Sequence, residues 1–142
     1  MPLNHSSLTL PAPKVAPLLT FLTSSLAHLG FKEHARFGPS IVGLGEETAY
    51  FWLAGILSED VDAKTVDEVL RKQHFAFTAE NAEQVRVFYD EAMKAGGVDN
   101  GKPGLRPHYA AGYYAAFVRD PVCGVNFEVL CHTAGEEEGT GS

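Results

Sequence analysis

The sequence predicts an α+β fold assembled from two similar modules, and three observations carry that reading. The first is a repeat. Asn4-His5-Ser6-Ser7-Leu8-Thr9 and Gln73-His74-Phe75-Ala76-Phe77-Thr78 share the form His-x-x-apolar-Thr. Each copy runs on into a helical stretch that ends at glycine and an apolar residue, Gly30-Phe31 in one and Gly96-Gly97-Val98 in the other. A repeat on this scale marks a fold built from paired units. The second observation is that apolar spacing switches from alternation to a period near 3.6 and back within the first copy. The third is the regular punctuation of the chain by glycine, proline and asparagine.

Residues 4–10 alternate as a short strand, and Pro11 and Pro13 break it. From Lys14 to Leu29 the apolar residues fall at Val15, Leu18, Leu19, Leu22, Leu26 and Leu29, a helical period. Pro17 fits the first turn of that helix, where its missing N–H costs little, and Gly30 suits its end. Phe31–Phe37, Ser40–Gly45 and Ala49–Gly55 read as strands, parted by Gly38-Pro39 and Glu46-Glu47-Thr48. Module one, residues 4–55, is therefore β-α-β-β-β. Residues 56–72 are acidic and then weakly amphipathic, suited to a short connecting helix or an edge segment between modules.

Module two covers residues 73–132. His74–Thr78 is a strand and Ala82–Ala95 a helix, with Asn81 as N-cap and Val85, Phe88, Tyr89 and Met93 on its buried face. Residues 98–112 are dense in turn formers. Tyr113–Arg119 and Val125–Cys131 are strands around the turn Asp120-Pro121-Val122-Cys123-Gly124. Residues 1–132 read as one domain, and the Gly- and Glu-rich residues 133–142 as a disordered tail.

A length of 142 residues suits a single core. The net charge of −7 leaves too little Lys and Arg for phosphate pairing, so no nucleic-acid partner is expected. No apolar run is long enough for a bilayer, so no membrane partner is expected either. The start lacks the basic and apolar regions of a signal peptide. Cys123 and Cys131 have no zinc-like spacing and read as free thiols, which fits a cytoplasmic setting.

His5 and His74 occupy matching module positions and could meet across a pseudo-two-fold axis. That makes them candidate metal ligands, the plainer alternative being core or surface histidines. Glu128 lies between Phe127 and Val129 and faces opposite to both. On the inner face of a sheet a carboxylate is costly unless paired or bound to a cation; the alternative is an exposed outer face. Within Tyr50-Phe51-Trp52, Phe51 is assigned to the core and Trp52 to a pocket wall that favours flat or aromatic ligands. Arg106, His108 and Tyr109 share a loop bordered by proline and glycine. Arg106 suits a substrate carboxylate or phosphate, Tyr109 joins it as a substrate contact, and His108 suits a proton shuttle. Of Tyr113 and Tyr114 only one can reach a cleft; the sequence does not say which, and Tyr114 is carried as a catalytic candidate beside His108. His28, His34 and His132 match no ligand position.

The segments HFAFTAEN, FYDEAMKAGGVDNGKPGLRPHY, GYYAAFVRDP and GVNFEVLCH, with NHSSLTL and FWLAG in module one, resemble the vicinal oxygen chelate superfamily. That group includes glyoxalase I, fosfomycin- and bleomycin-resistance proteins and extradiol dioxygenases. The resemblance runs from Asn4 to His132. It implies two βαβββ modules whose mixed sheets curve around a cleft, and a homodimer. It implies a divalent metal, Fe, Mn, Ni or Zn, held by His5, His74 and Glu128. At the fourth ligand position it places Trp52, where glyoxalase I carries a carboxylate or amide. Two histidines and one carboxylate match the extradiol dioxygenases and fosfomycin-resistance enzymes. The resemblance thus implies a small substrate chelated through neighbouring oxygens, in lyase, isomerase, dioxygenase or thiol-transfer chemistry. Its alternatives are metal-free ligand sequestration, as in bleomycin resistance, and a degenerate domain with only an interaction role.

Overall fold

In the computed structural model, which describes residues 2–132, each module is a four-stranded mixed sheet backed by one long helix. Module one holds β1 (Ser6–Thr9), α1 (Val15–Ser25), β2 (Lys32–Phe37), β3 (Ile41–Gly45) and β4 (Phe51–Ala54). The linker contains α2 (Ala63–Arg71). Module two holds β5 (His74–Thr78), α3 (Ala82–Lys94), β6 (Val98–Leu105), β7 (Tyr114–Arg119) and β8 (Asn126–Cys131). The strand orders are β1-β4-β3-β2 and β5-β8-β7-β6. In both sheets the first strand is parallel to the last and the other pairs are antiparallel. The sequence repeat is thus a topological repeat, and neither sheet closes into a barrel.

The local chemistry explains the element ends. Pro17 sits in the first turn of α1, and a short 3₁₀ turn at Ala27–Leu29 ends on Gly30, whose φ of 84° needs a residue without Cβ. Asn81 caps α3 by accepting from the Gln84 N–H at 2.9 Å. The linker is a connecting helix rather than an edge segment. Asp62 caps it, and Val66 and Leu70 are buried. Met93 lies at the surface instead of on the buried face of α3, where Ala92 takes its place.

One difference concerns residues 98–105. Their glycines and proline read as turns, yet they form β6, paired to β7 with register shifts around Gly101. The turn formers are bulges within a strand, a use of glycine that local composition does not separate from a loop. The expectation for residues 133–142 lies outside the described residues.

The helix-facing residues of both sheets share one core. At its centre Phe127 packs against Phe21, Phe51, Phe75 and Phe77, with ring centroids 6.1–6.4 Å apart. Alternation along β5 and β8 then turns His74, Ala76 and Glu128 to the opposite, open face. The buried Asp120 carboxylate accepts the N–H groups of Val122, Cys123 and Val125 at 2.8, 2.5 and 2.8 Å. This turn sets the β7–β8 register that places Phe117 opposite Glu128. Cys123 and Cys131 are both buried, and no disulfide joins them. Burial, with Asp120 beside it, pushes the Cys123 thiol up to about 12, an inert thiol. Among the described residues no helix is long and apolar enough to cross a membrane.

Candidate metal and substrate site

The open face of the second sheet carries the one pairing of candidate ligands. His74 lies opposite Asn126, and Ala76 and Phe117 flank Glu128 from the two neighbouring strands. Glu128 is 3% exposed, although it is a carboxylate. Its Oε1 is 2.8 Å from His74 Nε2, and its Oε2 accepts from the Tyr113 hydroxyl at 2.5 Å. His74 Nδ1 is 3.1 Å from the Asn126 carbonyl oxygen. A carbonyl can only accept, so Nδ1 carries its hydrogen and Nε2 faces the carboxylate across one shared proton. This is the arrangement in which histidines ligate metals: a backbone carbonyl holds one ring nitrogen, and the other is turned to the ion. An imidazole nitrogen and a carboxylate oxygen, aimed at one point, fit a borderline divalent cation in place of that proton. Burial first, and the Glu128 contact second, hold the Tyr113 hydroxyl above the ordinary tyrosine range, so it stays a donor.

Around this pair the aromatic residues form a rim. The Phe117 ring lies 6.0 Å from the His74 ring at 26°. The Arg106 guanidinium sits over Phe117 at 5.5 Å. Tyr109 packs edge-on against Tyr113 at 5.2 Å, and the exposed His108 lies 4.3 Å from Tyr109. The candidate loop therefore reaches Glu128 through Tyr113. Tyr114, carried as a catalytic candidate, points the other way: it is buried against α3, and its hydroxyl accepts from Arg86 at 3.2 Å. The tyrosine on the open face is Tyr113.

In module one, Trp52 pairs with Ser7 on one side and Gly43 on the other. These registers match those of Glu128 with Ala76 and Phe117, so Trp52 holds the position that Glu128 holds in module two. A Cβ on Gly43 would stand 2.7 Å from the indole, so glycine makes the space. The exposed Phe37 ring stacks on Trp52 at 5.5 Å and 7°. Both line a cavity of about 420 Å³ with His5, Ser7 and Ile41. His5 is exposed and 2.7 Å from the Asn4 side-chain oxygen. It does not join His74 and Glu128 within one chain: among the described residues no three His, Cys, Asp or Glu side chains form a group able to hold a metal. His28 and His34 each bond backbone carbonyls instead.

The family model of the Glyoxalase/Bleomycin resistance protein/Dioxygenase superfamily matches residues 7–129. The chain belongs to this superfamily. No curated protein sequence matches it. Among solved structures it is similar to a glyoxalase/bleomycin resistance protein from Albidiferax ferrireducens, with TM-score 0.68 and 19% identity over 89% of this chain and 97% of that one. It is similar to lactoylglutathione lyase from Agrobacterium tumefaciens, with TM-score 0.61 and 18% identity over 92% and 95%. It is also similar to a mutant of the fosfomycin resistance protein FosX from Listeria monocytogenes, complexed with Mn(II) and 1S,2S-dihydroxypropylphosphonic acid, with TM-score 0.59 and 15% identity over 93% and 89%. At these identities the likeness is one of fold.

Within the superfamily fold, reasoning from sequence left Tyr113 and Tyr114 undecided, carried Tyr114, and missed Phe117 as a neighbour of Glu128. The signal was parity: residues 113, 115 and 117 share a face, and the hairpin register joins that face to Glu128.

Proposed function

We propose that this chain is a cytoplasmic, divalent-metal-dependent superfamily enzyme acting on a small substrate through neighbouring oxygens. The supporting observation is the His74–Glu128 pair, with His74 Nδ1 held by the Asn126 carbonyl. Because His5 stands apart from that pair within one chain, a homodimer in which His5 of a second copy completes the set is part of the proposal. A bound Fe, Mn, Ni or Zn ion would polarise substrate oxygens as a Lewis acid. The chain's own residues do the rest. Tyr113 occupies Glu128 Oε2, so Oε1 alone faces His74, and its hydroxyl keeps a proton beside the substrate. Tyr109 contacts the substrate body, Arg106 contacts it from the loop, and His108 moves protons at the rim; Trp52, which lines one cavity with His5, contacts the substrate from the second copy. The Mn(II) complex and the lyase among the fold neighbours support a divalent metal and lyase chemistry; isomerase, dioxygenase and thiol-transfer chemistry are the other forms of the proposal.

Elemental analysis tests this reading. Wild-type protein, reconstituted with each of the four ions, is expected to hold one per chain, and His74→Ala none. Equal metal in both, or none in wild type, rejects it. A second reading, ligand sequestration without chemistry, is favoured by the stacked Trp52 and Phe37 on the open face of module one. It becomes the better reading if ligand binding survives His74→Ala and fails when Trp52 is replaced.

A further inference from the structure

Arg106 is held more firmly than a loop arginine needs to be, and among the described residues it has no acid partner. Its Nη1 donates to the Gly104 carbonyl at 2.8 Å and its Nη2 to the Lys102 carbonyl at 2.7 Å. Its guanidinium also lies over the Phe117 ring. The seat is made by glycines. A Cβ on Gly101 would stand 2.8 Å from Phe117 Cδ1 and 3.2 Å from Arg106 Nη2, and one on Gly104 would stand 3.1 Å from Nη1. The same glycines produce the bulges of β6. In a chain with 18 acidic and 11 basic residues, carboxylates are plentiful. Arg36 and Arg86 take theirs from Glu33 and Glu83. Among the described residues Arg106 makes no such pair. Two carbonyls fix the guanidinium plane, and its remaining N–H groups are left for something else.

The position says what that something is. Phe117, on which Arg106 rests, is the cross-strand neighbour of Glu128, and its ring faces His74. A planar, pre-organised cation with unused donors is matched by an oxyanion, which it can take with two parallel hydrogen bonds. We propose that Arg106 is an anion subsite and that the substrate is a small organic acid, its carboxylate or phosphonate on Arg106 and its neighbouring oxygens at His74 and Glu128. The location of the second end rests on the metal reading above; the anion subsite does not.

The test follows the Arg106 Nε–H resonance in isotope-labelled protein titrated with methylphosphonate, acetate and the neutral dimethyl methylphosphonate. The expected result is a saturable shift with one or both anions and none with the neutral ester; the tighter anion names the acid. By calorimetry, Arg106→Gln is expected to weaken that binding at least about tenfold, the equivalent of one charge-assisted hydrogen bond. Gly101→Ala, which keeps the charge but fills the seat, is expected to weaken it as well. His74→Ala is expected to keep it. Anion binding in a protein that takes no metal would remove the metal reading and leave the subsite standing. No shift in wild type, or equal affinity in Arg106→Gln, overturns the subsite.

Discussion

Replacing Glu128 by glutamine is expected to leave the fold intact and to weaken divalent-metal binding more than about a hundredfold. Loss of a residue that merely supports a ligand already costs about 10–100-fold, and Glu128 is proposed as a ligand. The fold survives because the amide satisfies the same partners. Its oxygen accepts the Tyr113 hydroxyl, and its NH₂ donates to His74 Nε2, which the Asn126 carbonyl already holds as an acceptor. What the amide lacks is the charge that an ion exchanges for a proton. Calorimetric titration with Mn²⁺ and Zn²⁺, beside a thermal unfolding curve, checks both halves. Unchanged metal affinity with an unchanged melting temperature would remove Glu128 from the site.

The largest stability loss is expected one residue away. Phe127→Ala should lower the unfolding free energy by about 3–5 kcal/mol, because truncating a buried phenyl loses its transfer energy and leaves a cavity. Phe127 is fully buried and touches rings from α1, β4 and β5, which draws both modules onto one side chain. It also faces the core from the strand that carries Glu128 on its other side. Loosening it should therefore lower metal affinity as well as stability. Denaturant unfolding measures the first effect. A loss below about 1 kcal/mol would mean that the two modules are not joined through this ring.

Much of this was legible in the chain. Alternation and helical period located all the strands but β6, along with α1 and α3, because each carries its own pattern in one stretch of residues. The repeat around His5 and His74 announced the twin topology, and residue parity placed Glu128 opposite Phe127. What could not be read depended on register between distant segments. Tyr113 and Tyr114 differ by one position, and only the Asp120 turn, which sets β7 against β8, decides that Tyr113 meets Glu128. Bulged glycines disguised β6 as a loop because the space they leave is taken by Phe117 on the neighbouring strand and by the Arg106 side chain folding back over it. The stacking of Phe37 on Trp52 likewise joins two strands that composition does not connect. The separation of His5 from His74 and Glu128 reflects how the two modules sit within one chain, which neither module encodes locally.

That separation leads to the most direct test of the central proposal. His5→Ala and His74→Ala proteins, each expected to bind no metal, are unfolded together, refolded as a mixture, and reconstituted with Mn²⁺ or Zn²⁺. If His5 of one copy completes the site of another, the mixed dimers regain intact sites, and elemental analysis finds about one metal for every four chains, since half of randomly paired dimers are mixed and each mixed dimer restores one site. No metal in the mixture, or full metal in His5→Ala alone, would contradict a site shared between two copies.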